Sequence, residues 1–240
     1  MESYQPVRER FPTFARSEGV EHWLPPEPKC RLCDLPIEPD YAEWGKCYFC
    51  HADPSVDGIE LVRILAAALY IPQVQGYLHS EEILTIKSRG IGASIYAEVL
   101  VHVLLREKVR DRCVGVVPVP SASKGVPGPG SASLANALAM RLGLPYMDIL
   151  RSRPGMVTQK EAGNRSSRRR NVIGTMTAGA VVPSGMVFAV DDVTTSGATL
   201  REAARALRYV GATAVVGLAA GRDSRLEHLE RAGVVVRVEG

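Results

Sequence analysis

The sequence contains no uncharged apolar run near the about 18 residues that a membrane-spanning helix needs. Leu61 to Pro72 carries Arg63, and Ile95 to Leu105 is short and interrupted, so membrane insertion is not expected. The opening stretch, MESYQPVRERFPTF, lacks the apolar centre of a secretion signal, and a cytoplasmic location is the expectation. Charge of one sign is also scarce: 29 Lys and Arg against 26 Asp and Glu leave +3, too mild by itself to imply a nucleic-acid partner. There is no internal repeat and no Walker A pattern. What is present, 240 residues with 46% apolar and 23% charged, suits one sizeable core plus an appendage.

Cysteine is concentrated. Four of the five cysteines fall in CRLCDLPIEPDYAEWGKCYFC, where Cys30 and Cys33 form one C-x2-C pair and Cys47 and Cys50 a second. Two such knuckles present four thiolates to one tetrahedral ion, so the spacing reads as a structural zinc site. Two disulfides or redox-active pairs are the alternatives, and the missing secretion signal weighs against the first. The segment is short and poor in apolar residues, so a metal staple would supply the stability that burial cannot. His51, directly after Cys50, reads as a neighbour of the site that could substitute as a ligand. Tyr41, Trp44, Tyr48 and Phe49 read as its small core. The fifth cysteine, Cys113, opens an apolar run and reads as a buried thiol.

The second concentrated feature is GMVFAVDDVTTSGATLREAARALRYVGATAVVGLAAGR, residues 185–222. An apolar strand, Val187 to Val190, ends on Asp191 and Asp192, then passes through a hydroxyl-rich loop into a helix from Thr199 to Tyr209. In open α/β sheets ligands bind beyond the carboxyl ends of the strands. Thr194, Thr195, Ser196, Gly197, Ala198 and Thr199 offer hydroxyl and backbone N–H donors at a helix start, which suits a phosphomonoester. Two carboxylates beside that cradle would repel the phosphate, so they accept hydrogen bonds from sugar hydroxyls or help hold Mg²⁺. The pattern implies a phosphorylated sugar. A lone acidic pair or a lone Thr-Ser-Gly would read only as a capped strand-to-helix turn.

Elsewhere, helix and strand patterns alternate. Helices are expected at Val56 to Tyr70, Ile91 to Lys108, Ser131 to Leu142 and Ser224 to Arg231. Strands are expected at Val114 to Val119, Tyr146 to Leu150, Ala214 to Leu218 and Val234 to Val238. The alternation favours an α/β fold with a parallel doubly wound sheet. The expected division is a tail over 1–25, a ribbon over 26–54 and the α/β domain over 55–240. Gly125 to Ser133, rich in glycine and proline, reads as a mobile loop at the mouth of the site.

The run Val190-Asp191-Asp192-Val193-Thr194-Thr195-Ser196-Gly197-Ala198-Thr199 resembles the phosphoribosyl pyrophosphate (PRPP) signature of type I phosphoribosyltransferases. The four-cysteine segment ahead of it, and Gln159, Arg165, Arg168, Arg169, Arg170 and Asn171 between the two, follow the order of the ComF-like branch. The resemblance spans about Cys30 to Arg222. It implies a type I phosphoribosyltransferase-like fold with a small N-terminal zinc ribbon, PRPP and Mg²⁺ as ligands, and an unidentified nitrogen acceptor. It further implies pyrophosphate contacts at Ser121, Ser123 and Lys124, in the loop after the Val114 strand, where the bare sequence SASKG reads equally as a solvated turn. Arg168 and Arg170 join them as a clamp; a phosphate-contacting patch for nucleic acid and a solvated basic loop are the other readings of that cluster. Lys87 and Arg89, after an apolar stretch Ile83 to Ile86, resemble a lysine-containing segment of the family, and read otherwise as surface charge beyond a strand. One departure is the absence of an Arg-Gly-Phe-Asn-Gln stretch, whose place Gly125 to Ser133 takes. The alternatives to a transferase are a non-catalytic PRPP-binding regulator and an adaptor of DNA uptake that binds a helicase or single-stranded DNA. The sequence leaves homo-oligomerisation open.

Overall fold

The computed structural model describes residues 27–52, 63–75, 77–109, 113–153 and 172–234. The expected tail, the ribbon-to-body junction at 53–62 and the basic loop with Arg165, Arg168 and Arg170 lie outside them. So does nearly all of the expected Val234 to Val238 strand.

The described residues open with a cysteine-rich lobe containing a short 3-10 helix, Pro39–Trp44, and one helical turn, α1 (Tyr48–His51). Strand β1 (Arg63–Tyr70) follows, then α2 (Leu78–Arg89), α3 (Ala93–Arg106), β2 (Cys113–Pro118) and α4 (Pro129–Leu142). A two-stranded antiparallel flap, β3 (Leu150–Ser152) with β4 (Met176–Ala178), comes next. The chain then runs through β5 (Met186–Thr194), α5 (Ala198–Tyr209), β6 (Ala214–Asp223) and α6 (Leu226–Arg231). The main sheet is parallel throughout, in the order β1-β6-β5-β2.

Helices cover both faces, as a parallel sheet requires, since its strands are apolar on both sides. Ile83 and Ile86 of α2, Tyr96 to Leu104 of α3 and Leu134 to Leu142 of α4 pack over Leu65, Val116, Phe188, Val190, Val216 and Leu218. On the opposite face, Leu200, Ala203, Ala204 and Leu207 of α5 pack with Ile64, Val117, Val187, Ala189, Val215 and the flap residues Leu150 and Met176. The register that matters for function is Val190 beside Leu218, Asp191 beside Ala219 and Thr194 beside Arg222. Among the described residues no single helix is long and apolar enough to cross a membrane.

Four expectations change. Of the expected Tyr146 to Leu150 strand, Tyr146 makes only an isolated bridge to Val116 and Leu150 opens β3. Arg63–Tyr70 is a strand, not the second half of a helix. Its run RILAAALY is apolar on every buried side, so it carries no period, and its alanines mimic helix propensity. The Ile83 to Ile86 stretch belongs to α2 rather than to a strand. The two isoleucines are buried three positions apart while Leu84 and Thr85 face out, the spacing of one helix face. Of the expected Gly125 to Ser133 loop, Pro129 onward is the first turn of α4, and the part before it is a turn: Ser121 N donates to Val126 O at 2.9 Å, Pro120 bridges Pro127, and Pro129 occupies the first helical turn. Proline suits that position because its missing N–H would have no partner there.

The cysteine-rich lobe lies along β1, which is an edge strand. Ile64 N donates to Leu32 O at 3.1 Å and Ala66 N to an Asp34 carboxylate oxygen at 3.0 Å. Exposed edge N–H groups template aggregation, and here the lobe satisfies them. Lys29 holds the other Asp34 oxygen at 2.9 Å, so the buried carboxylate is paired with a cation.

Candidate active site

The acidic pair stands within β5 rather than in a loop beyond it. The ladder to β6 continues through Asp191, Val193 and Thr194, which extends the expected strand by four residues and fixes both carboxylates on rigid backbone. Asp191 Oδ1 accepts the Asp192 N–H at 2.9 Å, and Asp192 Oδ1 accepts the Val193 N–H at 2.7 Å. Lys87 Nζ lies 3.6 Å from Asp192 Oδ1. Lys87 therefore reaches the acidic pair from the last turn of α2.

Gly130 explains how three elements meet here. A Cβ on it would lie 2.8 Å from Lys87 Cα and 3.0 Å from Asp192 Cβ. Only glycine lets the first turn of α4 pass between α2 and β5. Ser131 secures that turn, donating from Oγ to Val119 O at 2.9 Å.

Burial, with the Asp192 charge second, pushes the Asp191 carboxyl up to about 8, against partial relief from the Asp192 N–H and Lys87. Below an unfolded-state value of 3.8 the proton is bound in both states and the fold bears no cost. As pH rises, the unfolded chain releases the proton first, so stability declines progressively until the folded-state value is passed. Asp191→Asn is therefore expected to raise stability at pH 8.5 by about 0.5–2 kcal/mol, the scale of relief found when a strained functional group is removed. The gain should vanish at pH 4 in thermal melts without Mg²⁺. An equal gain at both pH values would contradict the burial argument.

After β5 the chain turns into α5 through Thr195, Ser196 and Gly197. Gly197 has φ of +72°, and a Cβ there would come within 2.4 Å of Ile64 Cδ1. The glycine is thus required by both conformation and packing against β1, a reason separate from any ligand's approach. Thr194 and Ser196 are buried, while Thr195 and Thr199 are partly open. Ser196 Oγ accepts the Ala198 N–H at 3.3 Å, a local turn bond that closes the loop around Gly197, the residue at the N-cap of the helix. The loop supplies further backbone donors at the positive end of a twelve-residue helix, an arrangement suited to an anion.

The neighbouring strand β2 leads into the second loop. Val119 N donates to Val190 O at 2.8 Å, just before the acidic pair. Ser121 and Ser123 hydroxyls lie 3.0 Å apart, Gly125 N donates to Ser121 O at 2.9 Å, and Ser152 donates to the same carbonyl from the flap. Ser123 and Lys124 are exposed at its tip. The structure therefore brings Ser121, Ser123, Lys124, Asp191, Asp192 and the Thr194 to Thr199 loop to the carboxyl ends of adjacent strands. Arg168 and Arg170 are outside the described residues.

Sequence reasoning missed Tyr70, at the end of β1. Its hydroxyl is pushed up by burial and feels the charges of Lys87, Asp223 and Asp192, so it belongs to the same rim. The signal was hidden because β1 was read as a helix, and a helix does not end at a sheet's ligand-binding side.

The four cysteines of the lobe form a separate centre. Cys30, Cys33, Cys47 and Cys50 are buried, with all four Sγ atoms within 4.8 Å of one another. All are free thiols, which sets aside the disulfide alternative. Cys33 Sγ and Cys47 Sγ are 3.7 Å apart, close to the about 3.8 Å edge of a tetrahedron with 2.3 Å Zn–S bonds. Hydrogen bonds from Cys30, Cys47 and Cys50, with the Arg222 charge adding to them, hold the Cys33 thiol well below its usual range. Soft thiolates in this geometry fit zinc. Leu35 and Ile37 complete the core of the lobe, and Tyr41 and Phe49 pack against it with Leu32 as expected. Trp44 is 43% exposed and Tyr48 46%, forming an outward cluster with Tyr41 and His51; the Trp44 and His51 rings are 4.5 Å apart. Cys113 is only partly buried, its Sγ donating to Gly115 O, and burial raises it to about 11, so it is an unreactive thiol.

Residues 127–237 match the family model described as phosphoribosyl transferase domain. That span runs from the second loop through α4, the acidic pair, the Thr194 to Thr199 loop and β6. With the parallel sheet, it shows a fold of phosphoribosyltransferase type, and the four-cysteine lobe ahead of it is consistent with a small zinc ribbon. A solved structure described as the allosteric regulatory enzyme of purine biosynthesis is similar at 25% identity and a TM-score of 0.32. The similarity covers 48% of this chain and 23% of that one. No curated protein matches the chain.

Proposed function

We propose that this chain binds PRPP with Mg²⁺ and transfers its ribose 5-phosphate to a nitrogen acceptor, in the manner of a ComF-like phosphoribosyltransferase. The observation that carries the reading is the placement of two loops and an acidic pair at the ends of adjacent parallel strands. In this reading the Thr194 to Thr199 loop holds the 5′-phosphate by backbone and hydroxyl donors. Asp191 and Asp192 accept hydrogen bonds from the ribose hydroxyls. Anchoring the phosphate at one end and the hydroxyls at the middle positions C1 for attack, which is worth several powers of ten in rate.

In the reaction the C1–O bond to pyrophosphate breaks, a C1–N bond forms, and the acceptor nitrogen gives up its proton. The leaving pyrophosphate gathers charge that positive groups must stabilise. Lys87, at the rim, and Ser121, Ser123 and Lys124, in the second loop, are placed to do so. Asp191 and Asp192, as hard oxygen donors, would hold Mg²⁺, which would supply further neutralisation of the diphosphate. Four free buried thiols go with a reducing compartment, and so with a cytoplasmic setting.

A second reading is favoured by the outward aromatic cluster of the lobe. Aromatic faces stack with unpaired bases or anchor a protein partner, as an adaptor of DNA uptake would require. One experiment separates the readings: incubation with PRPP, Mg²⁺ and a panel of purine and pyrimidine bases, followed for pyrophosphate. Release that depends on one base identifies a transferase. PRPP binding with no release from any base would contradict the transferase and leave a regulator or adaptor.

A further inference from the structure

Arg222 closes β6 and is 1% exposed. A buried guanidinium needs strong partners, and this one has them on two different parts of the molecule. Its NH1 donates to Thr194 O at 2.9 Å and also to Thr195 O. Its NH2 reaches Cys33 Sγ at 3.5 Å. One rigid, planar group thus spans the start of the Thr194 to Thr199 loop and the cysteine centre, two features 189 positions apart at the Cys33 contact.

The peptide geometry gives this link a direction. In a trans peptide the C=O and the following N–H point opposite ways. Holding Thr194 O and Thr195 O against Arg222 therefore aims the Thr195 and Ser196 N–H groups away from the guanidinium. Arg222 in this way sets the orientation of the donors without being one of them. On its other side the cluster of thiolates around a divalent ion keeps excess negative charge, which a guanidinium offsets while donating to sulfur. Partners of this kind tune metal affinity typically by about 10–100-fold.

We propose that Arg222 is a positioning residue that couples the metal-bound cysteine centre to the phosphate loop, so that anion binding at the loop and metal retention in the lobe strengthen each other. The proposal rests on the reading of the Thr194 to Thr199 loop as a phosphate site. Lysine cannot replace arginine here, because a point ammonium lacks the planar fork that serves both sides at once.

The test uses the zinc-loaded full chain with ribose 5-phosphate as the probe, since it engages the loop without needing Mg²⁺. Zinc affinity is measured by competition with a chromogenic chelator, with and without saturating sugar phosphate, in the wild type and in Arg222→Lys. Linkage requires the two sites to affect each other by the same factor. The expected result is zinc binding about fivefold or more tighter in the presence of ribose 5-phosphate, and no such difference in Arg222→Lys. A purely structural arginine would alter the melting temperature and leave the ligand-dependent difference intact.

Calorimetry on the same wild-type sample separates the failures. If ribose 5-phosphate does not bind, the phosphate-loop reading falls and the proposal falls with it. If it binds and zinc affinity does not move, the loop reading stands and the coupling is overturned. If the difference persists in Arg222→Lys, the assignment to Arg222 is wrong. Should that variant fail to fold, wild type loaded with cobalt decides. Its sulfur-to-cobalt absorption shifts on sugar-phosphate binding if Cys33 and the loop are coupled, and a static spectrum overturns the proposal.

Discussion

Replacing Asp191 and Asp192 together by alanine is expected to reduce PRPP affinity by at least about 100-fold while leaving the protein folded. Hydrogen bonds to charged groups contribute about 1.5–3 kcal/mol each, and two carboxylates aimed at ribose hydroxyls put the combined loss at about 3–6 kcal/mol, or two to four powers of ten in affinity. The fold should survive because neither carboxylate supports packing. Burial and its like-charged neighbour make the charged form of Asp191 costly in the folded protein, and its removal relieves that conflict. What would be lost is the 3.6 Å contact of Lys87 with Asp192 and the two local backbone N–H bonds to Asp191 and Asp192. Calorimetry and a thermal melt on one preparation check both halves. Affinity within a factor of three of wild type would remove the acidic pair from the site.

The second large effect concerns the cysteine centre. Cys30→Ser with Cys33→Ser is expected to take zinc from about one ion per chain to none, and to unfold the lobe. Metal binding provides about 10–16 kcal/mol in zinc-binding peptides of this kind, and besides the cysteines the lobe's own apolar core is only Leu35 and Ile37, with Leu32, Tyr41 and Phe49 packed against them. The consequence reaches beyond the lobe. Without it the Ile64 and Ala66 N–H groups lose Leu32 O and Asp34, leaving β1 as a bare sheet edge that can pair with another chain. Elemental analysis together with light scattering should therefore show metal loss accompanied by aggregation. Freshly purified wild type without metal, or a variant that keeps full solubility and an unchanged melt, would contradict this account.

The parts of the protein legible from sequence were those whose chemistry is local. The acidic pair, the hydroxyl loop and the helix after it are contiguous, so their order alone gives strand, tight loop and helix start. The cysteine spacing is likewise short-range, and the free thiols within 4.8 Å agree with it. β1 was misread because a strand buried on both faces carries no alternation, and its alanines resemble a helix. Tyr41 and Phe49 pack on the ribbon core as expected, whereas Trp44 and Tyr48 turn outward, because sequence shows that a residue is apolar and not which side of a small lobe it takes. Lys87, Tyr70 and Arg222 reach their partners only through the order of strands in the sheet. The contact between Arg222 and Thr194, for example, exists because β5 and β6 are neighbours in register, a fact of topology that no window of sequence contains.

The most direct test of the central claim is a calorimetric titration of the wild-type chain with PRPP in the presence and absence of Mg²⁺. The account predicts saturable binding at one site per chain that strengthens with Mg²⁺ and is lost in the Asp191→Ala, Asp192→Ala variant. No heat of binding under either condition, from protein that is folded and carries its metal, would contradict it.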